Sequence, residues 1–105
     1  MNSGDLKIDK TWSLFLDRDG VINKRIIDRY VSSWDQFVFL PGVLDAMKIL
    51  SGGFGKILVV SNQQGIGKGL MTDDDVRNIH IRMAAEIKNG GGIIDKTYYC
   101  PFTEM

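Results

Sequence analysis

"SLFLDRDGVIN", residues 13–23, decides how this chain is read. Leu14, Phe15 and Leu16 have the apolar content of a buried strand. The run then meets Asp17-Arg18-Asp19-Gly20, turns apolar again at Val21-Ile22 and closes on Asn23. Two carboxylates one residue apart repel each other, which costs stability unless a cation or a proton shares the site. Folding alone supplies no reason to put them there. An Asx-type turn accounts for many isolated D-x-D sequences. The context here is different: a second apolar strand, "KILVVSN" at 56–62, also ends in polar residues, Ser61-Asn62, followed by Gln63.

Working outward, residues 1–10 are polar and read as a loose lead-in, and residues 12–16 as the first strand. Residues 24–35 mix apolar and charged side chains without a clean period, the pattern of a loop or small hairpin packed over something. "QFVFLPG" is a short extended piece ending at Pro41. A helix follows from Pro41 to about Leu50, with proline near its first turn and Gly52-Gly53 past its end. Val43, Leu44, Met47 and Leu50 form its apolar face. After the second strand comes a glycine-rich turn, "GIGKG". The next helix has Thr72 as N-cap, Asp75 completing a capping box, and Asp73 and Asp74 at its positive end. Val76, Ile79, His80, Met83, Ala84 and Ile87 recur at helical spacing until "NGGG" stops the helix at 89–92. "IIDKTYYC" reads as a third strand. The order β, loop, α, β, α, β predicts an α/β fold with a parallel sheet and right-handed crossovers.

The chain has 105 residues, which suits one domain, residues 1–105. Its 13 basic and 13 acidic residues balance, which removes the electrostatic case for nucleic acid. One cysteine excludes an internal disulfide framework and points to a reducing compartment, taken as the cytoplasm. No apolar run reaches the length of a signal peptide or a membrane span.

In a parallel sheet, ligands bind outside the carboxyl ends of the strands. Both polar clusters sit at such ends, and two neighbouring strands bring them side by side. A hard cation such as Mg²⁺ suits the carboxylates. One of them can then attack phosphorus, while the other serves as general acid and then base. A serine hydroxyl, an asparagine amide and backbone N–H groups can hold the phosphoryl oxygens.

"FLDRDGVIN" and "VVSNQQGIGKG" resemble the first two motifs of the haloacid dehalogenase (HAD) superfamily. With "FLPGV", "AM" and "YYCP", the wording is closest to the branch of heptose bisphosphate and histidinol-phosphate phosphatases, and nearer the former. The resemblance spans residues 13–101. It implies a HAD-like, Rossmann-like sheet of three strands with flanking helices, and hydrolysis of a small phosphate ester such as a sugar phosphate. Asp17 is then the nucleophile and Asp19 the general acid/base. The Asp17 carboxylate and the Asp19 main-chain carbonyl bind Mg²⁺, and Ser61, Asn62 and Gln63 hold the phosphate. Arg18 belongs with the phosphate- and substrate-binding residues. Arg25 either reaches the rest of the substrate or stays a solvated surface arginine.

Two further motifs of the superfamily, a lysine and a last acidic metal ligand, have no counterpart after "YYCP". The expectation is an incomplete domain, truncated at its C-terminal side, with residues 12–16 left as an open edge through which copies could associate. A non-catalytic phosphate- or metal-binding fragment is therefore the alternative. A receiver domain needs its acceptor on a later strand than the acidic pair, which this order does not show. The branch's zinc loop begins Cys-Pro-His; here it reads Cys100-Pro101-Phe102, so zinc is not expected. "GIGKG" lacks the Gly-Lys-Ser/Thr of a P-loop. Lys68 reads as a solvated loop lysine and His80 as a satisfied, half-buried histidine.

Overall fold

The computed structural model describes residues 7–27 and 29–101; residues 1–6 of the expected lead-in and Phe102 of the zinc expectation lie outside them. Strand β1 is Ser13–Asp17, helix α1 Val43–Gly53 and strand β2 Lys56–Asn62. A short helical turn α2, Gln64–Gly67, precedes helix α3, Asp73–Asn89, and strand β3, Lys96–Cys100. The strands form one parallel sheet in the order β1-β2-β3.

Strand periodicity explains the packing. Leu14 and Leu16 pair in register with Ile57 and Val59, and these four face the helices. Ile57 and Val59 join Met47 of α1 and Ile79, Met83 and Ile87 of α3 in a buried core. Val43, Leu44 and Leu50 pack against that core as expected. The opposite face carries Phe15, Val60 and Tyr98, which are 62%, 42% and 46% exposed. Among the described residues β1 pairs with β2 alone, so its outer side is an edge.

Residues 22–40 leave the sheet and return. Asn23 bridges Phe39 antiparallel, Lys24 N–H donates to the Val38 carbonyl and Leu40 N–H to that of Ile22. Trp34 and Phe37 stack inside this excursion with centroids 4.9 Å apart, and Phe39 meets both rings edge-on. The described residues of 24–35 hold no strand, so the mixed pattern is a loop, ending in a 3₁₀ turn at Trp34–Gln36 and closed by this short antiparallel pairing.

Three element boundaries differ from the sequence expectation. Helix α1 begins after Pro41, because Gly42 takes φ +80° and no helix runs through that conformation. Gly52 and Gly53 close its last turn, since Phe54 N–H still bonds back to the Leu50 carbonyl. "IIDKTYYC" is a strand only from Lys96; before it, Asp95 bonds Ile57 through both its N–H and its carboxylate. Gly55 is required by close approach: a Cβ there would lie 1.9 Å from the Lys10 carbonyl oxygen. No described helix is long and apolar enough to cross a membrane.

Candidate active site

Asp17 is the last residue of β1, so its side chain stands at the carboxyl edge of the sheet. The next six residues form a tight turn. The Arg18 carbonyl accepts from the N–H groups of Val21, Ile22 and Asn23, and Gly20 N–H donates to the Asn23 carbonyl. Gly20 takes φ +86°, where a Cβ would be strained and would also meet Arg25 Cδ at 3.1 Å. Asp17 pairs in register with Val60, which sets Ser61, Asn62 and Gln63 one step beyond it on the neighbouring strand. Gln63 N–H donates to the Cys100 carbonyl, tying this cluster to the end of β3.

These residues surround a cavity of about 190 Å³ lined by Asp17, Arg18, Asp19, Arg25, Ser61 and Asn62. A larger one of about 440 Å³ shares Asp19, Arg25 and Asn62 and extends over Arg29, Tyr30 and Lys68. The fold thus gathers the expected site residues from two strand ends and one loop. Arg25 lines both cavities. Arg29 was not singled out in the sequence. Lys68 is exposed but is not merely a solvated lysine: its ammonium donates to Tyr30 Oη at 3.0 Å and borders the larger cavity.

Asp19 is held by four side-chain donor contacts. Its Oδ1 accepts from Arg18 Nε (3.2 Å), Arg18 Nη2 (2.8 Å) and Asn23 Nδ2 (2.9 Å). Its Oδ2 accepts from Gln63 Nε2 at 3.0 Å, and the same amide donates to Ser61 Oγ. By contrast, no donor among the described residues is recorded on the Asp17 carboxylate.

Arg18 turns inward. Expected among the phosphate- and substrate-binding residues, it lines the smaller cavity but is 1% exposed, and its guanidinium is taken up by protein partners. Alternation explains this: side chains one residue apart leave a strand on opposite faces, so Arg18 continues the Leu14–Leu16 row toward α3. There Nη1 meets His80 Nε2 at 3.1 Å, and the guanidinium lies 5.8 Å from the Phe37 ring centroid. His80 is satisfied, as expected, but its partner is the arginine of the first motif.

Burial, and secondarily the Arg18 charge, lowers the His80 pKa from 6.5 to about 4, while Asp19 pulls weakly the other way. The unfolded chain therefore binds the extra proton first. Stability should be level above about pH 6.5 and fall as pH drops toward 4, by at most about 3 kcal/mol from this group. Urea midpoints between pH 7.5 and 5 measure it. His80→Gln, which cannot titrate, should flatten the profile; an unchanged slope would assign it to other groups.

The superfamily resemblance implies a magnesium ion, and the donor set can be tested for one. Within the turn the Asp19 carbonyl accepts no main-chain hydrogen bond, unlike that of Arg18. This carbonyl and the Asp17 carboxylate are hard oxygen donors at one rim, a fit for a cation that keeps several waters. No group of three His, Cys, Asp or Glu side chains converges among the described residues.

No protein-family model matches the chain. Individual proteins do. D-glycero-alpha-D-manno-heptose-1,7-bisphosphate 7-phosphatase of Mycobacterium tuberculosis is 47% identical over 90 residues, covering 86% of this chain and 47% of that protein. The D-glycero-beta-D-manno-heptose-1,7-bisphosphate 7-phosphatase of Rhodopseudomonas palustris is 37% identical over 87 residues, covering 83% and 47%. Among solved structures, D,D-heptose 1,7-bisphosphate phosphatase from B. bronchiseptica, complexed with magnesium and phosphate, superposes with a TM-score of 0.81. It shares 32% identity over 88% of this chain and 51% of that one. The Burkholderia thailandensis enzyme gives 0.61 at 36% identity, over 84% and 52%. The chain spans about half the length of the curated relatives it matches. By sequence and by fold, it is a relative of the heptose bisphosphate phosphatases of the HAD superfamily.

Proposed function

We propose that this chain carries the phosphoryl-transfer core of a Mg²⁺-dependent phosphatase acting on a small phosphate ester, a sugar bisphosphate being the best fit. The observation that carries the reading is the contrast between the two aspartates. Asp17 is exposed at the cavity with no recorded donor, as a nucleophile must be, while Asp19 beside it is fixed by its neighbours.

One Asp17 oxygen attacks phosphorus, and the bond from phosphorus to the ester oxygen breaks. The leaving oxygen takes its proton from Asp19. Water then attacks the aspartyl-phosphate and gives a proton back to Asp19; phosphate leaves and Asp17 is restored. Asp19 Oδ1 already accepts three contacts, whereas Oδ2 accepts one, so Oδ2 is the oxygen with room for the travelling proton. Ser61 and Asn62 stand where the phosphoryl oxygens would lie, and Gln63 holds Ser61 and Asp19 together. Mg²⁺ held by the Asp17 carboxylate and the Asp19 carbonyl would offset the charge between nucleophile and phosphate. Arg25, Arg29 and Lys68 around the larger cavity suit a second phosphate on the same substrate. The names of the relatives support that class.

Hydrolysis of p-nitrophenyl phosphate and of a sugar bisphosphate, with and without Mg²⁺, tests the proposal. Asp19→Asn should slow formation and breakdown of the phospho-enzyme alike, each by roughly 10²- to 10⁴-fold. Single-turnover quench-flow reads both; a loss confined to one half-reaction would remove the shared acid/base role.

A second reading is favoured by the small donor set at the metal position: the chain binds phosphate and Mg²⁺ weakly without turnover. Calorimetric binding with no hydrolysis would select it. Copies of the chain are also proposed to associate through the free edge of β1.

A further inference from the structure

Arg18 is a full charge inside an apolar layer, and a buried charge is stable only when its hydrogen-bonding groups are met. Its Nε and Nη2 both donate to a single oxygen, Asp19 Oδ1. Two donors converging on one acceptor make a pivot, about which the guanidinium plane can still roll. The anchor that stops it is at the far corner, where Nη1 meets His80 Nε2. A guanidinium has no lone pair to offer, so His80 must accept, and its proton sits on Nδ1. Charging the imidazole would set N–H against N–H, and its lowered pKa agrees with a neutral ring.

Helix α3 keeps His80 in place. The capping box between Thr72 and Asp75 fixes the start of the helix, Tyr99 Oη donates to Asp73 at 2.8 Å, and the Tyr99 ring lies edge-on to the imidazole at 5.9 Å.

We propose that His80 is a positioning residue for the reaction: as a neutral acceptor it locks Arg18, and through Arg18 it fixes the Asp19 carboxylate with Oδ2 turned toward Gln63. The role in catalysis rests on the phosphatase reading; the lock itself does not. A histidine that only fills space would leave Arg18 indifferent to the acceptor.

The test uses the chain with His80 intact, with His80→Gln, which keeps an acceptor of similar reach, and with His80→Leu, which has none. ¹⁵N spectra of the intact chain should show Nε2 unprotonated and Nδ1 protonated; the opposite tautomer overturns the proposal without any variant. The Arg18 Nε–H should be rigid and slow to exchange in the intact chain and in His80→Gln, but mobile in His80→Leu. Equal rigidity in all three overturns it as well. In p-nitrophenyl phosphate hydrolysis, His80→Leu should lower kcat roughly ten- to a hundredfold with little change in KM, and His80→Gln should recover most of it. Absence of hydrolysis by the intact chain with Mg²⁺ would instead reject the phosphatase reading, while the tautomer and the Arg18 exchange rates would still decide the lock.

Discussion

Asp17→Asn is expected to abolish Mg²⁺-dependent hydrolysis of phosphate esters, by roughly a thousandfold or more, as removal of a nucleophile does. The substituted amide is nearly isosteric but cannot attack phosphorus or hold an aspartyl-phosphate. Because Asp17 is exposed and accepts from no donor among the described residues, the exchange breaks none of the contacts seen among them. Its cost in stability should stay within about 0.5 kcal/mol. Loss of activity beside an unchanged urea midpoint therefore separates chemistry from folding. Beryllofluoride, a mimic of the phosphoryl group, gives a readout that needs no turnover. With Mg²⁺ it should bind the Asp17 carboxylate, appear in the ¹⁹F spectrum, and vanish in Asp17→Asn. Turnover surviving in that variant would sink the mechanism. An adduct on Asp19 would reverse the two roles.

Locally encoded features were legible in the sequence. The limits of β2 follow from one apolar run, and the start of α3 from the Thr72–Asp75 pair, whose reciprocal hydrogen bonds both form. The meeting of Asp17 with Ser61 and Asn62 was legible too, because parallel pairing of adjacent strands forces it. Other features depend on direction or distance. The inward direction of the Arg18 side chain follows from strand alternation, but its position in the motif says nothing of the partners it meets. Its contact with His80 joins residues 62 positions apart, and no local pattern announces that. The turn 64–67 looked like a glycine loop but coils into a helical turn; its Gly65 answers to a distant contact, since a Cβ there would meet the Tyr30 ring at 3.0 Å. Arg29 and Lys68 reach the cavity because of loop paths that neither composition nor periodicity encodes.

The free edge of β1 is expected to make the chain associate with itself as concentration rises. Parallel sheets are normally covered on both faces, yet only the helix-facing side of this one is covered among the described residues. Phe15 combines both exposures: it sits mid-strand on the edge and points to the uncovered face, beside the row containing Val60 and Tyr98. An edge strand also presents unpaired N–H and C=O groups, a template for another strand. Burying one phenylalanine side chain stabilises a contact by about 2 kcal/mol. Phe15→Lys removes that gain and adds the charge that natural edges use against pairing, so association should weaken roughly thirtyfold or more. Ile81, 70% exposed on α3, is the control, since Ile81→Lys adds the same charge away from the edge. Size-exclusion chromatography with light scattering over a concentration series would compare the three proteins. A chain that stays monomeric throughout, or an equal effect of the two lysines, would show that β1 is not the contact.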